Sequence, residues 1–110
     1  GGEGNDVLDG GNGADFMSGG GGNDQFLIAS WGNGADTIAG GSGIDVVKLA
    51  ASNVTWSVQL TSGALHQFTT WSEKSGSVMV SGADMSGYLI SSADPSVKIT
   101  FSGIDQFVAA

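Results

Sequence analysis

Cysteine and arginine are both absent from this 110-residue chain, and proline, histidine and tyrosine occur once each. Without cysteine there is no disulfide and no thiol chemistry, and a single histidine, His66, cannot build a zinc site from nitrogen and sulfur donors. Three lysines against eleven acids leave a net charge of −8, which removes nucleic acid and anionic membrane surfaces as partners. No apolar run approaches the roughly 20 residues of a membrane-spanning helix, so membrane insertion by this segment is not expected. Serines are plentiful, but none sits in a nucleophile elbow, and His66 reads as an ordinary strand side chain. The chain is therefore not expected to be an enzyme. Asp94-Pro95 reads as a turn with proline at its second position, and Asn53-Val54-Thr55 is a formal glycosylation sequon.

What the chain has is glycine, placed with a period. Fifteen of the 20 glycines fall in residues 1–48, which parse as GGEGNDVLD, GGNGADFMS, GGGGNDQFL, an inserted Ile28-Ala29-Ser30, WGNGADTIA and GGSGIDVVK. Each of the five units follows G-G-x-G-x-D-x-U-x, with U a large apolar residue. A flexible Gly/Asp-rich linker has no reason to hold an aspartate and an apolar side chain two apart in every unit. Glycine lets the first six residues curl tightly, which turns carbonyls inward beside the aspartate carboxylate. Such a ring offers oxygen alone, and flexible rings of about six to eight oxygens favour Ca²⁺ over the more demanding Mg²⁺.

The last three residues of each unit predict a short strand whose middle side chain faces inward: Leu8, Met17, Phe26, Ile38 and Val47. Two units make one coil, so loops on one edge lie two units apart. Asp6, Asp24 and Asp45 then share one edge, and Asp15 and Asp36 the other. The insertion lengthens the spacing from 18 to 21 residues in both series and predicts a bulge on one strand.

This nonapeptide closely resembles the RTX (repeats-in-toxin, hemolysin-type) calcium-binding repeat over residues 1–48. The resemblance implies an all-β fold, a right-handed parallel β-roll with calcium-binding turns, in which each ion lies between two same-edge loops. It implies about three calcium ions or more, of which three have ligand sets in this chain. The first would be held by Gly2, Gly4, Asp6, Gly19, Gly21 and Asp24; the second by Gly11, Gly13, Asp15, Trp31, Asn33 and Asp36; the third by Gly20, Gly22, Asp24, Gly40, Ser42 and Asp45. Trp31 replaces the first glycine of the fourth unit, which weakens the second site.

Beyond Ala50 the glycine content falls and the charge thins: seven acids and one lysine in residues 1–48 give −6, and four acids and two lysines in 49–110 give −2. Val46–Leu49, Val54–Leu60, Leu65–Thr70, Ser77–Ser81, Tyr88–Ile90 and Val97–Phe101 predict strands, separated by Ser-Gly, Gly-Ala and Asp-Pro turns. Residues 49–110 are expected to form a β-rich capping segment, because an open coil end leaves unpaired backbone and an apolar cross-section. Trp56, Trp71, Phe68, Tyr88, Phe101 and Phe107 are the aromatics at hand. GGSGIDVVKLAAS and ITFSGIDQF resemble segments that flank RTX blocks, the latter as a strand that rejoins the coil.

The resemblance further implies calcium-coupled folding outside the cell, in a secreted or surface-exposed bacterial protein exported by a type I system. Gly1 already stands at position one of a repeat, so an upstream domain or further repeats are expected. A second class of function is a polysaccharide- or surface-binding module of an adhesin or polysaccharide-modifying enzyme, with Trp56 or Trp71 stacking on sugars. The outward residues (Val7, Phe16, Gln25, Thr37, Val46) are too mixed for a regular binding lattice.

Overall fold

Three-residue strands cannot stand alone, and each one here finds a partner two units away rather than next in sequence. A computed structural model of the chain describes residues 2–9, 16–28, 36–49, 55–69, 76–92 and 98–109. The described regular elements are all β: β1 (Val7–Asp9), β2 (Phe16–Ser18), β3 (Gln25–Ile28), β4 (Thr37–Ala39), β5 (Val46–Leu49), β6 (Thr55–Leu60), β7 (Leu65–Thr69), β8 (Val78–Ser91) and β9 (Ile99–Ala109).

The first five strands stack in parallel with the expected register. Leu8 lies opposite Phe26 and Phe26 opposite Val47 along β1–β3–β5, and Met17 lies opposite Ile38 along β2–β4. The predicted bulge is not found in β3: Ile28, the first inserted residue, extends the strand in register opposite Leu49 and is buried. Ala29 and Ser30 lie outside the described residues.

The second half closes back onto this stack. Thr100–Ser102 of β9 pairs in parallel with β4, and Gln106–Ala109 of the same strand pairs in parallel with β5. Phe101 thus lies opposite Ile38, and Phe107 opposite Val47. β8 then runs antiparallel to β9, and β6 and β7 extend the sheet in the order β5-β9-β8-β6-β7. The result is a mixed, unclosed sheet rather than a pure parallel roll. The expected strands Ser77–Ser81 and Tyr88–Ile90 are, from Val78 on, parts of one 14-residue strand, Val78–Ser91, whose register shifts around Gly82–Asp84. The expected Val97–Phe101 strand instead runs on to Ala109, since Ser102 to Asp105 turn from one wall to the other without leaving the sheet.

One core runs through both halves. Met17, Phe26, Ile38 and Val47 from the repeats pack in the same cluster as Trp56, Leu89, Phe101, Ile104 and Phe107. Phe101 and Phe107 meet edge to face, with ring centroids 4.9 Å apart.

Candidate metal centre

The loops between strands stack as tightly as their strands. Gly20 and Gly22 have φ of +78° and +93°, a region costly to residues with a Cβ. A Cβ at Gly20 would also stand 2.5 Å from the Gly2 carbonyl oxygen, and one at Gly22 would strike that of Gly4. One coil further, Gly41 and Gly43 meet the carbonyls of Gly20 and Gly22 in the same way. The carbonyls at positions two and four of each loop therefore face the next loop on that edge. Close stacking requires glycine twice over, for φ and for space.

The aspartates of this edge form a ladder along the stack. The Asp6 N–H donates to Asp24 Oδ1 (3.0 Å), the Asp24 N–H to Asp45 Oδ1 (3.0 Å), and the Asp45 N–H to Asp105 Oδ2 (2.8 Å). A second ladder of amides runs the opposite way beside it: the Asn23 N–H donates to Asn5 Oδ1 (2.8 Å) and the Ile44 N–H to Asn23 Oδ1 (2.9 Å). Asp24 and Asp45 are buried at 1% and 0% exposure, and Asp36 on the other edge at 1%. Oδ2 of Asp6, Asp24 and Asp45 is buried with no hydrogen-bond partner. Burial, with smaller pushes from Asp24 and Asp105, raises the Asp45 carboxyl from 3.8 to about 6.

A carboxylate oxygen enclosed without a donor is costly unless a cation compensates it. The surroundings of these oxygens fit one. Asp24 Oδ2 and the Gly40 carbonyl both border the point a Gly19 Cβ would occupy, the latter at 2.8 Å. A carboxylate from one loop and a carbonyl from the next thus share a gap with no room for a methyl. Among the described residues no three acidic or histidine side chains converge, so any site is rich in carbonyl oxygen, a donor set that suits calcium.

Of the expected first ligand set, the fold places Gly2, Gly4 and Asp6 on one loop and Gly19, Gly21 and Asp24 on its stacked neighbour. The third set is arranged alike, with Gly20, Gly22 and Asp24 beneath Gly40, Ser42 and Asp45. Of the second set only Asp36 is described; Gly11, Gly13, Asp15, Trp31 and Asn33 lie outside the described residues. Asp105, the fourth rung, was not among the expected site residues. Its signal is in the chain: Gly43-Ile44-Asp45 recurs as Gly103-Ile104-Asp105.

Other candidate features take ordinary places. Trp56 is fully buried, at 0% exposure, which removes it as a sugar-stacking platform; Trp71 lies outside the described residues. His66 is an exposed side chain on β7, and Tyr88 lies under the Lys98 ammonium, 5.1 Å from its ring centre. Asn53, Asp94 and Pro95 lie outside the described residues.

Compared with known families, the chain matches the RTX calcium-binding nonapeptide repeat in four copies, over residues 1–26 and 32–50. The unmatched residues 27–31 hold the insertion and Trp31. No curated protein and no solved structure matches the chain.

Proposed function

We propose, from the match of residues 1–26 and 32–50 to the RTX calcium-binding nonapeptide repeat, that the chain is a module whose folding is driven by calcium outside the cell. RTX nonapeptide repeats bind calcium. The observation that carries the finer reading is the row of buried, unpartnered Oδ2 atoms at Asp6, Asp24 and Asp45. With calcium bound, each ion ties two coils together through both carboxylates and the loop carbonyls. Without it, the row repels itself, and glycine-rich loops lose more backbone entropy on ordering than the short strands offset.

Three ions are assigned: between Asp6 and Asp24, between Asp24 and Asp45, and between Asp15 and Asp36. Extracellular calcium modules bind with Kd of roughly 10⁻⁴–10⁻³ M. At a Kd of about 0.1 mM and calcium of about 1 mM, each ion stabilises the folded form by about 1.4 kcal/mol, and three independent ions by about 4 kcal/mol. At cytosolic calcium of about 10⁻⁷ M the same relation gives essentially nothing. The chain would stay unfolded inside a bacterium, suited to passage through a narrow export channel, and fold on release. The module acts by binding and folding rather than by catalysis. No described helix is long and apolar enough to cross a membrane.

The test is circular dichroism of the full chain titrated with calcium, and with magnesium as control. β-structure should appear with a calcium midpoint near 10⁻⁴–10⁻³ M, while magnesium at the same concentration has little effect. Equal β-structure in chelator and in about 10 mM calcium overturns calcium-driven folding.

A further inference from the structure

The ladder of Asp6, Asp24 and Asp45 does not stop where the nonapeptides stop. The register sets Ser102 opposite Ala39 and Asp105 opposite Asp45 of the preceding coil, because Ala39 pairs with Ser102 and Val46 with Gln106. Five residues, Gly40–Ile44, make the loop in the repeat; only Gly103 and Ile104 make it in the returning strand. The short loop still starts as a repeat loop does. Gly40 N–H donates to the Ser102 carbonyl (2.8 Å), as Gly19 N–H donates to that of Ala39 (2.9 Å).

The oxygens repeat as well. Asp24 Oδ2 and the Gly40 carbonyl border the position of a Gly19 Cβ; Asp45 Oδ2, at 2.8 Å, and the Gly103 carbonyl border that of a Gly40 Cβ. Gly103 thus stands to Asp45 as Gly40 stands to Asp24. On its other side Gly103 packs against Gly41, whose nitrogen and carbonyl oxygen lie 3.0 and 3.2 Å from where a Gly103 Cβ would stand. Asp45 is 0% exposed, and its Oδ2 has no partner. Asp105 differs from the rungs above it. Its Oδ2 accepts from the Asp45 N–H and its Oδ1 from the Asp84 N–H (3.1 Å), where β8 bulges and Asp84 takes φ of +47°.

We propose that the gap between the Gly40–Asp45 loop and Gly103 is one further calcium site, held by Asp45 Oδ2 and the Gly103 carbonyl. It lies partly outside the repeats, since Gly103 and Asp105 are not in the residues matched to the family. Asp105 is a positioning residue there: it fixes the Asp45 backbone and adds negative charge, with both its oxygens already accepting peptide N–H groups. The two-residue loop has no position-three carbonyl, so water completes the six to eight oxygens that calcium takes. This makes it the weakest of the sites. The inference rests on the reading of the ladder as a calcium array.

Crystals of the full chain grown in about 10 mM calcium chloride and measured for calcium anomalous scattering separate the two readings. The expected result is an ion about 2.3–2.6 Å from both Asp45 Oδ2 and the Gly103 oxygen. Ions between Asp6 and Asp24 and between Asp24 and Asp45, with none at Gly103, overturn the further site and leave the array standing. No ion at any of these positions overturns both. In solution, calorimetric titration of Asp105→Asn should show the weakest calcium step weakened about tenfold with the tighter steps unchanged. A titration that overlays the parent chain, or one in which every step weakens equally, overturns the site, the latter marking Asp105 as a support of the fold alone.

Discussion

Residues 2–49 and residues 55–109 share one core but bring different chemistry to it. Among the described repeat residues, Met17, Phe26, Ile38 and Val47 are buried, and so are Asp24 and Asp45, whose Oδ2 atoms lack a protein donor. The second half buries Trp56, Leu89, Phe101, Ile104 and Phe107, and its one rung on the ladder, Asp105, has a peptide N–H on each oxygen. The repeat half therefore encloses carboxylate oxygens that a cation would satisfy, whereas the one carboxylate the second half adds to the ladder is satisfied by backbone N–H groups. What joins them is β9, a single strand that supplies the next coil of both walls.

The largest effect should come from separating the two. A fragment of residues 1–52 loses the partners of β4 and β5 and exposes Ile38 and Val47. It should gain no β-structure by circular dichroism in calcium up to about 10 mM, well above the range expected of extracellular modules. Folding of the fragment at the midpoint of the whole chain would show that the repeats are complete without β9.

Next in size is the seam itself. Phe107 is 0% exposed, lies opposite Val47 and meets Phe101 edge to face. Phe107→Ala should cost about 3–5 kcal/mol in urea unfolding measured with calcium saturating. A cost near zero would mean that the coil end is not sealed by this ring.

Within the repeats, Asp24 stands between two rungs and Asp6 at the end of the ladder. Asp24→Ala should therefore lose more calcium affinity than Asp6→Ala, since two proposed ions lose a ligand rather than one. Equal losses by calorimetry would count against ions stacked between successive loops.

The smallest effect is one of pH, carried by the repeat half through Asp45, and calcium reverses its sign. Burial raises Asp45 from 3.8 to about 6, so the calcium-free folded chain holds a proton there that the unfolded chain has released. That contribution to stability is complete below pH 3.8 and is lost as pH rises through about 6. In chelator, where the chain is largely unfolded, circular dichroism should show less residual β-structure at pH 7.5 than at pH 4.5. With calcium the order reverses, because the ion replaces the proton at high pH and competes with it at low pH. More residual β-structure in chelator at pH 7.5 than at pH 4.5 would show that Asp45 is not the buried acid described here.

The legibility of the two halves differs for the same physical reason. Leu8, Met17, Phe26, Ile38 and Val47 could be assigned to the interior from spacing alone, and Asp6, Asp24 and Asp45 to one edge, because a nine-residue period repeats the same local backbone and stacks it on itself. In the second half the strands were visible, and ITFSGIDQF was expected to rejoin the coil, as β9 does, but its pairing with both walls and the other joins were not. β8 reads as two strands because Gly82, Ala83 and Asp84 carry a turn's composition, whereas the structure spends them on a bulge within one strand.

The sequence by itself determined the coil: its register, its inward residues, its oxygen-lined loops and the hard cation they suit. All of these follow from contacts between neighbours in a repeat. Tertiary structure alone decided that β9 would pair with both walls, that Trp56 would be enclosed, and that Asp105 would complete the ladder against the Asp84 N–H. Those pairings join residues some 20 to 60 positions apart with no period linking them. Which distant edge a strand meets is settled only when the whole core closes.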